Sequence, residues 1–353
     1  MSLRDHLIAR ISSQGPITIA DYMAEALLHP EHGYYTTRDP LGRAGDFTTA
    51  PEISQMFGEL VGLSLAQSWL DQGAPAPFTL AELGPGRGTL MADILRATAR
   101  VPGFHAAARI TLVEASPALR ATQRETLKAY DIQYADSADA LPDAPLWLVA
   151  NEFFDALPVR QFQRDGTGWR ERNVGMRDGA LCLGLSPVGP QTSLEQRLDD
   201  TENGQMVETC PAARPVLSAI AERLAAHGGA ALIIDYGDWR SLGDTLQAVQ
   251  DHNPVDPLAD PGQADLTAHV DFEALCMAAD PAAHSRVTPQ GVFLERLGIT
   301  ARAQALAAKL DGPALDAHIA AHRRLTHPDE MGNLFKVLGL FPNHAAPPPG
   351  LER

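Results

Sequence analysis

The stretch Phe78-Thr-Leu-Ala-Glu-Leu-Gly-Pro-Gly-Arg-Gly-Thr-Leu-Met91 decides the fold. A short apolar run carrying Glu82 stops at Gly84, Gly86 and Gly88, which predicts a buried strand, a tight turn and the start of a helix. Glycine accepts positive φ and has no Cβ, so a ligand can approach the backbone of such a turn closely. A parallel strand that ends in this way places a nucleotide-sized cleft at its carboxyl end.

The spacing of the glycines separates two classes of cofactor. A dinucleotide fold requires G-x-G-x-x-G or G-x-G-x-x-A, and Thr89 occupies the final position of that pattern. The observed pattern is E-x-G-x-G-x-G. A carboxylate inside the motif repels a pyrophosphate, whereas S-adenosylmethionine has no phosphate and carries an ammonium and a sulfonium group. We therefore predict that S-adenosylmethionine, rather than NAD, binds a turn that comprises Glu82, Gly84, Pro85, Gly86 and Gly88.

A second acidic residue supports this prediction. The apolar run Arg109-Ile-Thr-Leu-Val-Glu-Ala-Ser116 closes on Glu114, roughly thirty residues after Glu82, as one βαβ crossover requires. A carboxylate can accept two hydrogen bonds from a cis diol, so we expect Glu114 to bind the ribose hydroxyls. An exposed glutamate at a strand end is the alternative interpretation, and the glycine turn upstream favours the ribose.

Two further strands are expected to end at the same edge. Ile132-Gln-Tyr-Ala135 leads to Asp136 and Ser137, which either bind the adenine edge or are ordinary turn residues. The apolar run Pro145-Leu-Trp-Leu-Val-Ala150 leads directly into Asn151-Glu-Phe-Phe-Asp155. We expect the transferred methyl group and its acceptor to meet here, with Asn151 against the adenosyl group.

Composition limits the possible partners. The 353 residues carry a formal net charge of −16, and 45% of them are hydrophobic, enough to bury a substantial core. Nucleic acid is a poor partner for this charge, because its binding depends on neutralising phosphates. A cationic acceptor, such as an arginine-bearing protein segment, would be attracted, although acidity also serves solubility.

Cysteine and histidine usage predicts neither disulfides nor a metal site. Cys182, Cys210 and Cys276 are too few and too widely spaced for a disulfide framework or a zinc site, which favours a reducing compartment. The histidines include no His-Glu-x-x-His pair, and single histidines such as His29 are interpreted as packing or capping residues. Without a membrane-length apolar run or a signal-like N-terminus, the chain is predicted to be cytoplasmic, with no membrane insertion.

The N-terminal region is predicted to form a lid. Thr18 and Asp21 cap a helix that stops near Pro30. The glycine-punctuated segment from Glu31 to Ala50 and a helix opened by Pro51 are interpreted as a lid over the methyl donor. The alternative is a surface loop packed on the flank of the fold.

Beyond Asp155 the pattern changes to that of a β-meander. We predict two regions: an N-terminal helical and lid region at 1–75, and a methyltransferase domain at 76–345 with an insertion at about 159–210. The remaining predicted elements are a meander at 159–188, a helix at 212–227, a strand at 230–236, helices at 271–279 and 300–325, a strand at 334–338, and a loose tail from Ala345.

Several blocks of sequence carry a family resemblance. They are the segments 31–59, 82–91, 151–158, 235–237 and 265–269. From about residue 15 to about residue 340, the chain resembles the MidA-like methyltransferases. The resemblance implies an α/β, Rossmann-like class I S-adenosylmethionine-dependent methyltransferase fold, here with an N-terminal helical lid region and an inserted β-meander. It also implies, from the relative in the mitochondrial matrix that assists assembly of respiratory complex I, arginine methylation of a complex I subunit.

Arginine chemistry points to carboxylates as catalytic groups. The guanidinium has a pKa above about 12 and delocalised lone pairs, so acids are needed to orient it and accept a proton during transfer. Arginine methyltransferases place a glutamate at the end of the fourth strand, which here is Glu152. Asp155, about one helical turn further on, Glu208, and Asp46 in the lid are the other candidates.

Three functions remain open from the sequence. The first is methylation of an arginine in a protein substrate. The second is methylation of a small molecule, for which the acceptor pocket would be closed and mostly apolar. The third is an assembly factor that binds S-adenosylmethionine without turnover and acts by binding a partner protein.

Overall fold

The computed structural model describes residues 2–37 and 49–353. Within it the chain forms two compact units, each made of three segments. The segments of the first unit are Met1–Phe47, Asp155–Ala213 and Asp238–Asp271, and those of the second are Thr48–Phe154, Arg214–Gly237 and Phe272–Arg353.

Helices and strands alternate along much of the described chain. The α-helices are α1 (Leu3–Gln14), α2 (Ile19–Leu28), α3 (Tyr34–Thr37), α4 (Ala50–Ile53), α5 (Gln55–Asp71), α6 (Thr89–Thr98), α7 (Phe104–Ala107), α8 (Pro117–Thr126), α9 (Ala213–His227), α10 (Phe272–Ala278), α11 (Gln290–Arg296), α12 (Ile299–Ala307) and α13 (Gly312–Thr326). The strands are β1 (Ile17–Thr18), β2 (Phe78–Leu83), β3 (Ala108–Val113), β4 (Ile132–Ala135), β5 (Leu146–Asn151), β6 (Arg160–Asp165), β7 (Gly168–Arg177), β8 (Ala180–Leu185), β9 (Met206–Thr209), β10 (Gly229–Asp238), β11 (Gln247–Gln250), β12 (Asn253–Val255), β13 (Asp265–Thr267), β14 (Val270–Asp271), β15 (Ala283–His284), β16 (Thr288–Pro289) and β17 (Phe335–Phe341).

The second unit is built on a long, mostly parallel sheet. Its strand order is β15-β17-β10-β5-β2-β3-β4, with β10, β5, β2, β3 and β4 parallel and β17 antiparallel to β10. Every residue of β2 and β5 is buried, as expected for parallel strands covered by helices on both faces. The chain runs outward in opposite directions from β2 and β5, so the strand order reverses between these two strands, where ligands bind in such folds. The predicted α/β fold is confirmed.

Helix α5 belongs to the core of this unit, so the helical part of the predicted lid is wrong. Its residues Met56 and Phe57 are fully buried and join the main apolar cluster. A Cβ added at Gly58 would lie 2.6 Å from Asp93 Cβ, and one at Gly62 would lie 2.9 Å from Ile94 Cα. These glycines therefore let α5 approach α6 closely. The loop part of the predicted lid falls mainly on residues 38–48, which lie outside the described residues.

The first unit combines small sheets with the N-terminal helices. One sheet has the order β1-β7-β6-β9 with β8 paired to β7, and another has the order β12-β11-β13. The predicted meander is confirmed as β6, β7 and β8. The predicted capped helix is confirmed as α2, where Thr18 and Asp21 form a capping box. Helices α1 and α2 contribute Leu7, Ile19 and Tyr22, which are fully buried, to the apolar core of this unit.

Two predictions for the C-terminal region are wrong. The helix predicted at 300–325 is split into α12 and α13, because Gly312 has a φ of +49° and Pro313 follows it. The tail is not loose: Leu351 is 8% exposed in the main apolar cluster, and Ser64 Oγ donates to Pro349 O at 2.8 Å.

The two units divide the chain differently from the predicted regions 1–75 and 76–345. Helix α5 belongs to the unit of the long sheet, while residues 238–271 join the inserted segment in the other unit. Among the described residues, no helix combines the length and apolar composition needed to cross a membrane.

Candidate active site

The carboxyl ends of the parallel strands form one edge of the second unit. Leu83 pairs with Val113 on β3 and with Ala150 on β5, so these three strands end together. Hydrogen bonds extend this alignment beyond the strands: Gly84 N donates to Val113 O at 3.0 Å, and Glu152 N donates to Ile234 O at 2.9 Å. The glycine turn and the segment after β5 are therefore neighbours.

The glycine turn has the backbone that its sequence predicts. Gly84, Gly86 and Gly88 all have positive φ, at +58°, +52° and +81°, and Gly88 is the N-cap of α6. A Cβ added at Gly84 would lie 3.0 Å from Phe153 Cδ2, so the Phe153 ring lies against the turn. Side chains at these positions would combine backbone strain with loss of the space beside the turn.

Glu82 is buried at the end of β2. It is 3% exposed, and its carboxylate accepts a hydrogen bond from the Met91 amide in the first turn of α6. Burial, with a smaller contribution from Glu114, raises the pKa of Glu82 to about 8. Its Oε2 has no hydrogen-bond partner among the described residues. A buried carboxylate oxygen without a partner beside the turn can accept a hydrogen bond from a bound ligand or a water.

Glu114 is held by a residue that sequence reasoning missed. Its Oε1 accepts from Ser116 N at 2.7 Å and its Oε2 accepts from Gln123 Nε2 at 3.2 Å. The same Gln123 nitrogen donates to Gly86 O at 2.7 Å, so one buried amide links the turn to the ribose-binding candidate. Burial raises the pKa of Glu114. The sequence does contain a signal for Gln123. It lies four residues after Leu119 and four before Leu127, so helical spacing places it on the same face as these two buried leucines.

Asp136 and Ser137 follow β4 and have protein partners of their own. Asp136 Oδ1 pairs with Arg120 at 2.7 Å, and Arg120 Nε also donates to Glu114 O at 2.8 Å. Ser137 hydrogen-bonds Asp139. The role of Asp136 and Ser137 at the adenine edge stays a prediction.

Glu152 lies immediately after β5 in a strained backbone conformation. Its φ is +51°, which costs a residue with a Cβ about 1–3 kcal/mol. Glu152 Oε1 accepts from Ala50 N at 3.2 Å and from Asn151 Nδ2 at 3.1 Å. Asn151 is 8% exposed, and its Oδ1 has no hydrogen-bond partner among the described residues. Such strain persists where surrounding contacts hold it and is frequent at functional sites.

The segment after Glu152 is held by Asp235, another residue to which the sequence assigned no role. Asp235 is fully buried, and its Oδ2 accepts from Phe154 N at 2.9 Å. Phe154 is 3% exposed and lies edge-on to Phe153, with ring centroids 5.2 Å apart. Residues 152–158 form bends and turns, so the helical spacing expected between Glu152 and Asp155 is wrong.

A third unpredicted residue, Glu52 on α4, contacts the start of α6. Thr89 Oγ1 donates to Glu52 Oε1 at 2.6 Å, which connects α4 to the first residue of the helix after the glycine turn. The sequence indicates Glu52 only through its place in the segment 31–59, one of the segments that carry the family resemblance.

Asp155 and Glu208 belong to the first unit. Asp155 O accepts from Ala268 N at 2.9 Å. Glu208 is 3% exposed, and its Oε1 accepts from Gln161 Nε2 at 2.7 Å and Thr245 N at 3.0 Å. Burial raises the pKa of Glu208. These contacts give Glu208 a place in a buried polar network of its unit, and the catalytic roles of both acids stay predictions. Asp46 lies outside the described residues.

A cavity of about 600 Å³ lies at the opposite, amino-terminal edge of the long sheet. Gly228, which precedes β10, and Trp147, near the start of β5, are among its lining residues. It is therefore separate from the strand ends that carry the glycine turn.

A parallel sheet whose order reverses beside a glycine turn, with an acid at the end of the following strand, is the architecture of class I S-adenosylmethionine-dependent methyltransferases. Residues 60–290 match the model of a family described as an S-adenosyl-L-methionine-dependent methyltransferase. The chain belongs to this family, and its cofactor is S-adenosylmethionine.

Curated relatives and a solved structure extend this assignment. The chain is 38% identical to the mitochondrial protein arginine methyltransferase NDUFAF7 of Rattus norvegicus, over 96% of this chain and 84% of the relative. Identity to the protein of that name in Homo sapiens is 37%, over 96% and 83%. A likely methyl transferase from Burkholderia thailandensis, solved with bound S-adenosyl-homocysteine, is 33% identical, with a TM-score of 0.84, over 96% of this chain and 91% of that one.

Proposed function

We propose that this chain transfers the methyl group of S-adenosylmethionine to an arginine side chain of a protein. The position and backbone of Glu152 carry the proposal: a glutamate at the end of the fourth parallel strand is held at a φ of +51° by contacts to Ala50 and Asn151. The names of the curated relatives, which are protein arginine methyltransferases, support the same acceptor.

Glu152 would bind and orient the acceptor. The bound cofactor supplies an electrophilic methyl carbon on its sulfonium sulfur. A guanidinium nitrogen forms the new N–C bond while the S–C bond to the methyl carbon breaks. The electron pair of the S–C bond stays on sulfur, and the nitrogen loses a proton. The carboxylate of Glu152 would draw positive charge away from the attacking nitrogen and accept that proton, directly or through a water.

The donor is proposed to occupy the edge formed by the glycine turn and the following strand ends. The turn allows close approach, Glu114 offers its carboxylate to the ribose hydroxyls, and Gln123 fixes the distance between them. The residues proposed to hold S-adenosylmethionine are Glu82, Gly84, Pro85, Gly86, Gly88, Glu114, Asp136, Ser137 and Asn151.

A finer proposal concerns the partner. The family resemblance favours a subunit of respiratory complex I as the methylated protein, with the methylation assisting assembly of that complex. The net charge of −16 suits an arginine-bearing segment electrostatically. The proposed location of the reaction is the cytoplasm.

The experiment uses labelled S-adenosylmethionine, the purified chain and lysate of a strain that lacks its gene, followed by mass spectrometry of labelled proteins. We expect label on an arginine, and label on a complex I subunit would support the finer proposal. Label on a metabolite alone would contradict the protein acceptor and favour the small-molecule function.

Glu152→Gln, with Glu222→Gln as a matched control, tests the role of the acid. Glu222 is an exposed acid on α9. We expect Glu152→Gln to bind the donor normally but transfer methyl at least about a hundredfold more slowly, while Glu222→Gln matches the unchanged chain. Undiminished transfer by Glu152→Gln would remove Glu152 from the chemistry. Rescue of assembly by Glu152→Gln in cells, with no transfer, would indicate a non-catalytic assembly factor.

A further inference from the structure

Two histidines and a glutamate that have no proposed role in methyl transfer come together in the first unit. His6 lies on α1, Glu25 on α2, and His29 follows the end of α2. One ligand atom from each residue lies within 4.8 Å of the other two, and all three side chains are half-buried. Glu25 and His29 are four residues apart, which places them on one side of the chain at the end of the helix. The sequence interpretation of His29 as a packing or capping residue missed this cluster.

The chemistry of the three groups selects a metal. Two imidazoles and one carboxylate are the ligand set of open zinc sites, in which a water completes a tetrahedron. Imidazole nitrogen favours zinc over magnesium or calcium, which prefer oxygen ligands. We propose that His6, Glu25 and His29 bind one Zn²⁺ ion and thereby join α1 to α2.

Outer contacts of the cluster support this assignment. Arg10 Nη1 donates to Glu25 Oε1 at 3.0 Å, and Arg10 Nη2 donates to Asp21 Oδ1 at 2.9 Å. The bond to Asp21 positions the Arg10 guanidinium, and the bond to Glu25 orients the carboxylate, as outer partners of metal ligands do. The rings of His6 and His29 lie edge to face, with centroids 5.3 Å apart, so the two imidazoles already converge.

One hydrogen bond opposes metal binding and gives the site a measurable signature. His29 Nδ1 accepts from Glu31 N at 3.1 Å. A neutral imidazole that accepts at Nδ1 carries its proton on Nε2, so coordination through Nε2 requires the proton to move to Nδ1 and release the Glu31 amide. Coordination through Nδ1 would displace the same amide. Zinc binding should therefore change the environment of the Glu31 amide in either case.

Calorimetry of the full chain with zinc sulfate tests the proposal. We expect one Zn²⁺ ion per chain, with the affinity reduced more than about tenfold in His6→Ala and in Glu25→Gln. His344→Ala is the control, because His344 is exposed in the other unit. Absence of stoichiometric binding, or equal affinity of His6→Ala and the unchanged chain, would overturn the proposal.

Two further readouts separate loss of ligation from loss of fold. Substitution by Co²⁺ should give the visible absorption typical of tetrahedral coordination, and this absorption should disappear in His6→Ala and Glu25→Gln but not in His344→Ala. The Tm of the unchanged chain should rise with added zinc, since the ion binds the folded state. A variant that keeps its circular dichroism and its affinity for S-adenosylmethionine while losing the zinc-dependent rise in Tm supports the site. A zinc-dependent rise that persists in both ligand variants refutes it.

Discussion

Gln123 donates its side-chain amide to Gly86 O at 2.7 Å, and through that one nitrogen it also reaches Glu114 Oε2 at 3.2 Å. The side chain is completely buried. It therefore fixes the distance between the backbone of the glycine turn and the carboxylate proposed for the ribose.

Replacing Gln123 by leucine should weaken donor binding. Without the amide, the turn and Glu114 lose their common partner, and we expect the Kd for S-adenosylmethionine to rise about tenfold, or about 1.4 kcal/mol. Calorimetry measures it. The control is Gln72→Leu, because Gln72 makes two comparable bonds to the backbone of Gly229 at the opposite edge of the sheet, each 2.9 Å long. An unchanged Kd for Gln123→Leu would show that the link has only a structural role.

Gly86→Val should abolish donor binding. Valine at a φ of +52° is strained and brings a branched side chain to the turn where the ligand approaches the backbone. Gly179→Val is a matched control, since Gly179 has a φ of +78° in an exposed turn of the first unit with nothing within 4 Å of its added Cβ. We expect both variants to be less stable but only Gly86→Val to lose affinity in calorimetry. Normal affinity in Gly86→Val would remove the turn from the site.

Glu82 should make the stability of the ligand-free protein depend on pH. Burial raises its pKa from 4.5 to about 8, so between these values the folded state binds more protons than the unfolded state, and the free energy of unfolding falls as pH rises. The slope contributed by this group reaches about 1.4 kcal/mol per pH unit. Urea unfolding of Glu82→Gln across this range should show a flatter pH dependence than that of the unchanged chain. If the free energy of unfolding had the same pH dependence in Glu82→Gln and in the unchanged chain, the pKa of Glu82 would not be raised by folding.

Glu152→Gly should be more stable than Glu152→Ala. Both variants lose the carboxylate contacts to Ala50 and Asn151, but only glycine adopts a φ of +51° without a Cβ penalty, worth about 1–2 kcal/mol. Thermal unfolding followed by circular dichroism measures the difference. Methyl transfer should be lost in both variants alike. An alanine variant as stable as the glycine variant would argue that the backbone is not strained here.

Gly58→Ala should destabilise the second unit. The added Cβ would lie 2.6 Å from Asp93 Cβ, so α5 and α6 must move apart, and we expect a loss of about 1–2 kcal/mol in spite of the better helix propensity of alanine. Chemical denaturation gives the value. Gly184→Ala, at an exposed strand position with open space around it, should change stability by less than about 0.5 kcal/mol. Equal effects would mean that the helices adjust without cost.

Local patterns predicted much of the fold. The strands ending at Leu83, Val113 and Asn151 lie close to the predicted runs, because buried parallel strands are continuous apolar segments. The sequence pattern alone predicts α5 as part of a lid, whereas its glycines pack closely against α6 in the structure. Its burial depends on α6, a partner that no local pattern identifies.

The sequence by itself determined the conformation of the glycine turn, since glycine is the residue that accepts the φ values found at Gly84, Gly86 and Gly88 without strain. It also predicted the cofactor class, which the family match confirms. Only the tertiary structure decided that Gln123 links Gly86 to Glu114, that Glu152 is held in a left-handed conformation and that His6 meets Glu25 and His29. These relationships join residues through contacts between separate elements, or through the strain such contacts maintain, so they exist only once the chain has packed.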